Sequence, residues 1–170
     1  KLKKNLALTG MMGVGKSTLG KALSKQLLMQ FSDIDKIIEN KLEMSIQKIF
    51  DEKGELFFRK FEEKTTLQEF KKKNIIISLG GGAFMNSKIR KTALSCSETF
   101  WLDLDSKLLA KRLVKSKRRP LLNNKYLEET LKKIYKERKS TYSNAKYRID
   151  CGNLSLKLIT GKIIELYANN

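Results

Sequence analysis

Gly10-Met11-Met12-Gly13-Val14-Gly15-Lys16-Ser17-Thr18 fits G-x-x-x-x-G-K-[ST], the Walker A or P-loop pattern. Leu6-Ala7-Leu8, just before it, is an apolar run of strand length, and Leu19, Leu23, Leu27 and Leu28 recur behind it at helical spacing. Strand, glycine loop and helix in that order are the context the motif needs. Glycines let the backbone wrap with positive φ, so that successive N–H groups point at phosphate oxygens. The helix that starts near Lys16 turns its positive end to the same place. Lys16 is expected to reach the β- and γ-phosphates and the Ser17 hydroxyl to ligate Mg²⁺.

Working outward, helical and strand patterns alternate along the chain, which implies a parallel sheet covered by helices. Strands are expected at Asn5–Thr9, Gln30–Asp33, Ile75–Leu79, Thr99–Leu104 and Tyr147–Cys151. The second is weakly patterned and the fifth is polar, so both belong near the sheet edges. Helices are expected at Lys16–Met29, Ile34–Leu42, Ser45–Lys53, Glu55–Lys73, Ser87–Leu94, Ser106–Val114, Leu127–Asn144 and Ser155–Tyr167. No repeat or boundary divides the 170 residues, so one domain is expected over 1–170.

Composition narrows the chemistry. The chain has no histidine, so acid–base work falls to carboxylates, lysine or tyrosine. The net charge of +18 comes from 36 basic residues, 29 of them lysine, spread over nearly every helix with few aromatics between them. That pattern fits a solvated lysine surface better than a nucleic-acid site, and no nucleic-acid partner is expected. No apolar run approaches the length of a membrane span, and Gly10 interrupts the first apolar stretch too early for a secretion signal. Cys96 and Cys151 lack metal-like spacing, so free thiols in a cytoplasmic setting are expected.

Four other stretches carry chemistry. In Ser32-Asp33-Ile34-Asp35 the two carboxylates stand at i and i+2, which in extended chain turns both to one cleft; either Asp also serves as a helix N-cap. Phe57-Phe58-Arg59-Lys60-Phe61-Glu62 sets Arg59 and Glu62 one helical turn apart, as a surface ion pair or as an anion-binding guanidinium oriented by Glu62. Gly80-Gly81-Gly82 follows a buried strand and permits close approach of a ligand to the backbone. Between Lys107 and Lys125 lie eight basic residues and no acidic one, including the loop Ser116-Lys117-Arg118-Arg119-Pro120, which is solvated or closes over a polyphosphate. Arg138, in Tyr135-Lys136-Glu137-Arg138, is a further candidate.

Taken in order, G-M-M-G-V-G-K-S-T, S-D-I-D, F-R-K-F-E, S-L-G-G-G, R-R-P-L-L and E-R resemble the shikimate kinase family over nearly the whole chain. Adenylate and gluconate kinases share only the first of these. The resemblance implies a three-layer α/β P-loop fold with a five-stranded parallel sheet of order 2-3-1-4-5. It further implies a substrate-binding region at about 34–62 and a mobile lid at about 115–125. It implies transfer of the ATP γ-phosphate to the 3-hydroxyl of shikimate by a monomer that uses ATP and Mg²⁺. By position, Asp35 binds the shikimate hydroxyls and is the candidate base, and Arg59 and Arg138 hold its carboxylate. Gly80, Gly81 and Gly82 supply backbone contacts, with Ile46, Phe50 and Phe58 on the apolar side. Gly13, Val14, Gly15, Lys16, Ser17 and Thr18 bind phosphates, Ser17 with Asp33 places Mg²⁺, Arg112 packs on adenine, and Arg119 reaches in from the lid. The rivals are another small-molecule kinase, or an ATP-sensing or nucleic-acid-binding protein without catalysis.

Overall fold

A computed structural model describes residues 4–115 and 124–169. Five strands, β1 (Asn5–Thr9), β2 (Gln30–Asp33), β3 (Ile75–Ser78), β4 (Ser97–Asp103) and β5 (Tyr147–Asp150), form one sheet of order β2-β3-β1-β4-β5. All four pairings are parallel. Every residue of β1, β3 and β4 is buried, on both parities of the pleat, so helices cover both faces. β2 and β5 have mixed exposure and stand at the two edges, as their polarity predicted.

Seven helices follow in chain order: α1 (Lys16–Leu27), α2 (Ile34–Leu42), α3 (Ile46–Phe70), α4 (Ser87–Cys96), α5 (Ser106–Lys115), α6 (Asn124–Tyr142) and α7 (Leu156–Ala168). Their starts are written in side chains. Ser45, Asn86 and Ser155 accept hydrogen bonds from the first-turn amides of α3, α4 and α7. α1 stops earlier than predicted because Leu28 adopts a left-handed conformation, φ 54°. The predicted break between Lys53 and Glu55 lies inside α3, at Gly54 with φ 80° and ψ 165°, a conformation a side chain would oppose.

Three other expectations shift. β4 begins at Ser97, two residues before the predicted start, because α4 runs straight into it. β3 ends at Ser78, although the Leu79 N–H still bonds to the Leu8 carbonyl at 3.0 Å. A 3-10 turn over Ala83–Met85, unpredicted, leads the chain from the glycine triplet into α4.

β1 lies between β3 and β4, so the loop after it opens beside the ends of β3 and, one strand further, β2. In an open α/β sheet that is where ligands bind. Ile77 anchors this arrangement: it is fully buried and sits in register between Ala7 and Ser32. Ile77→Ala should therefore cost about 2–5 kcal/mol, read as a lower urea midpoint with an unchanged m-value. A loss below about 1 kcal/mol would contradict this account of the sheet centre.

Candidate active site

The loop after β1 has the backbone its glycines allow. Gly10, Gly13 and Gly15 take φ values of 139°, 78° and 105°. Gly15 is the N-cap of α1 and supplies no side-chain cap, so the first amides of that helix lack a capping partner and suit an anion. Lys16 is buried, and its Nζ donates to the carbonyls of Gly10 at 2.8 Å and Met11 at 2.9 Å. Val14 is buried, while Gly13 and Thr18 are exposed at the surface of the loop. Arg112, on α5, donates to the Val14 carbonyl at 3.3 Å and so lies against the same loop.

The two aspartates part company. Asp33 ends β2, caps α2 through the Lys36 amide, and accepts a short hydrogen bond from the Ser17 hydroxyl. α2 begins at Ile34, so Asp33 is its extended N-cap while Asp35 is already helical. The extended geometry expected for the pair does not hold, because α2 has begun by Asp35, yet both carboxylates interact with Lys16 and with each other. Asp33 lines an open groove with Ser17, and Asp35 lines a separate pocket with Arg59 and Arg138. Lys16 feels the negative charge of both.

That second pocket, about 360 Å³, brings together Asp35, Arg59, Glu62, Gly81, Gly82 and Arg138, with Met12 of the phosphate loop in its wall. Ile46, Phe50 and Phe58 form its apolar side. Arg59 is held from several directions. Its Nη1 donates to Glu62 at 2.7 Å and its Nε to Glu55 at 3.3 Å. Its guanidinium lies 5.2 Å from the Phe58 ring centroid and 5.9 Å from that of Phe50. An ordinary surface pair would leave Glu62 exposed, yet the Glu62 side chain is only 2% exposed. Arg138 reaches the triplet from α6, its Nη1 donating to the Gly81 carbonyl at 2.9 Å.

The triplet needs glycine for space rather than for dihedral freedom. A Cβ on Gly80 would stand 2.6 Å from Glu62 Oε1 and 2.8 Å from Asp35 Oδ1. One on Gly82 would meet the Arg59 guanidinium at 2.7 Å, and one on Gly81 the Met12 amide nitrogen at 3.1 Å. The backbone thus approaches the protein's own functional groups, which sequence reasoning had assigned to approach of a ligand.

Comparison with known proteins agrees with this geometry. A family model for shikimate kinase matches residues 12–168. The chain belongs to the shikimate kinase family. A shikimate kinase of Bacillus licheniformis is 39% identical over 166 residues, 96% of this chain and 93% of that protein. The 1.7 Å crystal structure of a shikimate kinase from Bacteroides thetaiotaomicron superposes with TM-score 0.91 at 27% identity, covering 97% and 98% of the two chains. A shikimate kinase from Acinetobacter baumannii, solved in complex with shikimate, also gives 0.91, at 30% identity over 99% and 94%. The chain is accordingly an ATP-dependent kinase acting on a hydroxyl of shikimate.

In this shikimate kinase-family site, burial sets the electrostatics. Burial lowers the Lys16 pKa to about 8, against the opposing pull of Asp35 and Asp33. It raises Asp35, with Lys16 working the other way, and it raises Glu62 despite the hydrogen bond from Arg59. For Arg59 burial pulls downward, but Glu62 and Glu55 outweigh it and the net direction is up. Arg119 and the loop 116–123 lie outside the described residues. Tyr142, which sequence reasoning passed over, donates to Gly81 from one turn beyond Arg138; the i, i+4 spacing on one helix was the signal available.

The Lys16 shift has a consequence for stability. Between about pH 8 and the ordinary lysine value of 10.5, the unfolded chain binds that proton more tightly than the folded one. Its contribution to stability therefore rises with pH across that window, by at most about 1.4 kcal/mol per pH unit. Urea unfolding of wild type and Lys16→Met should show the difference moving in favour of wild type from pH 8 to pH 10, and flat from pH 6 to pH 7. A difference constant over the whole range would contradict the shift.

Proposed function

We propose that the pocket beside Met12 receives shikimate and that the loop Gly10–Thr18 receives the phosphates of ATP, for transfer to the 3-hydroxyl. The observation that carries this is the shared wall: two guanidinium groups, three carboxylates and an apolar side line one cavity next to the phosphate loop. Arg59 and Arg138 suit a carboxylate, which accepts the paired bonds of a guanidinium. Phe50, Phe58 and Ile46 suit the carbon face of the ring.

Asp35 is the group that takes the proton from the hydroxyl as it attacks. Burial raises its pKa and so makes it a stronger base than a solvated aspartate, while Lys16 nearby keeps it ionised. The loop amides and Lys16 neutralise charge on the transferring group and hold it in line. The hydroxyl of Ser17 and the carboxylate of Asp33, already in contact, are hard oxygen donors that fit Mg²⁺, an ion that keeps several waters and asks for few protein ligands. Ser17 and Asp33 would hold the ion there, and it would supply positive charge to offset the negative charge of the phosphates. Arg112 extends the site toward the adenine, and the sequence resemblance assigns Arg119 to the phosphates. Two free cysteines support a cytoplasmic setting.

The test is ADP release by purified protein with shikimate, gluconate and nucleoside monophosphates in parallel. Release should depend on shikimate. Arg59→Lys should raise the KM for shikimate about tenfold or more and leave the KM for ATP within about twofold, since an ammonium cannot make the paired bonds. Movement of the ATP KM alone, or turnover with another acceptor, would contradict the assignment.

A further inference from the structure

Tyr142 has no part in the chemistry described so far, yet it is tied to both halves of the site. Its side chain is fully buried and stacks on Trp101, centroids 5.9 Å apart. A phenol this deep needs a hydrogen-bond acceptor. The one it uses is the Gly81 carbonyl, at 2.5 Å, the same oxygen that accepts from Arg138 at 2.9 Å. The sulfur of Met11, in the phosphate loop, lies 3.9 Å from the hydroxyl. Burial raises the Tyr142 pKa while Arg138 opposes that rise through its charge and a hydrogen bond to the phenol. The hydroxyl therefore meets both the triplet and the guanidinium.

The peptide group is a rigid plane, so fixing the Gly81 carbonyl also fixes the direction of the Gly82 N–H on its far side. Gly81 and Gly82 both line the substrate pocket. Arg138 holds the same carbonyl, but its guanidinium is the group an anionic substrate would draw on. The Tyr142 bond is buried and has no such competitor.

We propose that Tyr142 is a positioning residue for the substrate side of the reaction: its hydroxyl locks the Gly81–Gly82 peptide and sets the angle of Arg138 without touching substrate. This rests on the assignment of Arg59, Arg138 and the triplet to shikimate.

Tyr142→Phe in the full chain keeps the ring and its stacking and removes only the hydroxyl, with its bond to Gly81 and its contacts to Met11 and Arg138. The KM for shikimate should rise about tenfold, with the KM for ATP within about twofold and kcat reduced no more than about threefold. Combined with Arg138→Lys, the two effects should be clearly non-additive, because both side chains act on one oxygen. A shikimate KM within twofold of wild type, while Arg59→Lys still raises it, would overturn the role of Tyr142 and leave the substrate site intact. If neither variant moved that KM, the substrate assignment itself would fail, and the positioning role with it. Equal rises in both KM values with a lowered thermal midpoint would also overturn the proposal, since they would mark a general structural support.

Discussion

Bare backbone at the end of β3 is the constraint on which the site depends. Where Gly80 and Gly82 would carry a methyl group, the carboxylates of Glu62 and Asp35 and the guanidinium of Arg59 already lie within 2.6 to 2.8 Å. Met12 presses on Gly81 from the other side. Three glycines thus let the phosphate loop, two acids and a base share a volume that any side chain would divide. The sheet order makes the meeting possible, since β2, β3 and β1 are consecutive neighbours and each ends in one of the contributing segments.

Packing charges this closely has an electrostatic cost, and the arrangement offsets it by alternating sign. Lys16 feels the opposite charges of Asp35 and Asp33, and Arg59 is paired with Glu62. One oxygen of Glu62, Oε1, has no hydrogen-bond partner among the described residues, so the pairing is incomplete from the acid side. A buried network of this kind is poor material for stability and good material for chemistry, because each charged group is preorganised before the substrate arrives.

Much of this was legible in the sequence, for identifiable reasons. Walker A glycines at fixed spacing, strand-length apolar runs and the polarity of the second and fifth strands are local signals, and the sheet order follows once the family is named. Arg59, Arg138 and the triplet stand out as candidates because each lies in a contiguous motif, and the fold brings Arg59, Gly81, Gly82 and Arg138 to one pocket. Other features needed the fold. The backbone at Asp33 and Asp35 is one case, because the pattern does not show that α2 already begins at Ile34, so that one aspartate caps a helix and the other lies within it. The crowding at Gly80 and Gly82 depends on side chains 18 to 45 positions away in sequence, and no local pattern announces it. Tyr142 lies outside every motif in the sequence, and its bond to Gly81 spans 61 positions.

The most direct test is calorimetric titration of shikimate into wild type and Gly80→Ala, with ADP titrated in parallel. The neighbouring carboxylates are the ends of side chains and can yield, so the variant should fold while the pocket is rearranged. Shikimate affinity should fall about tenfold or more, with ADP affinity changed less than about twofold. Undiminished shikimate binding by Gly80→Ala would show that the site does not depend on that bare stretch of backbone.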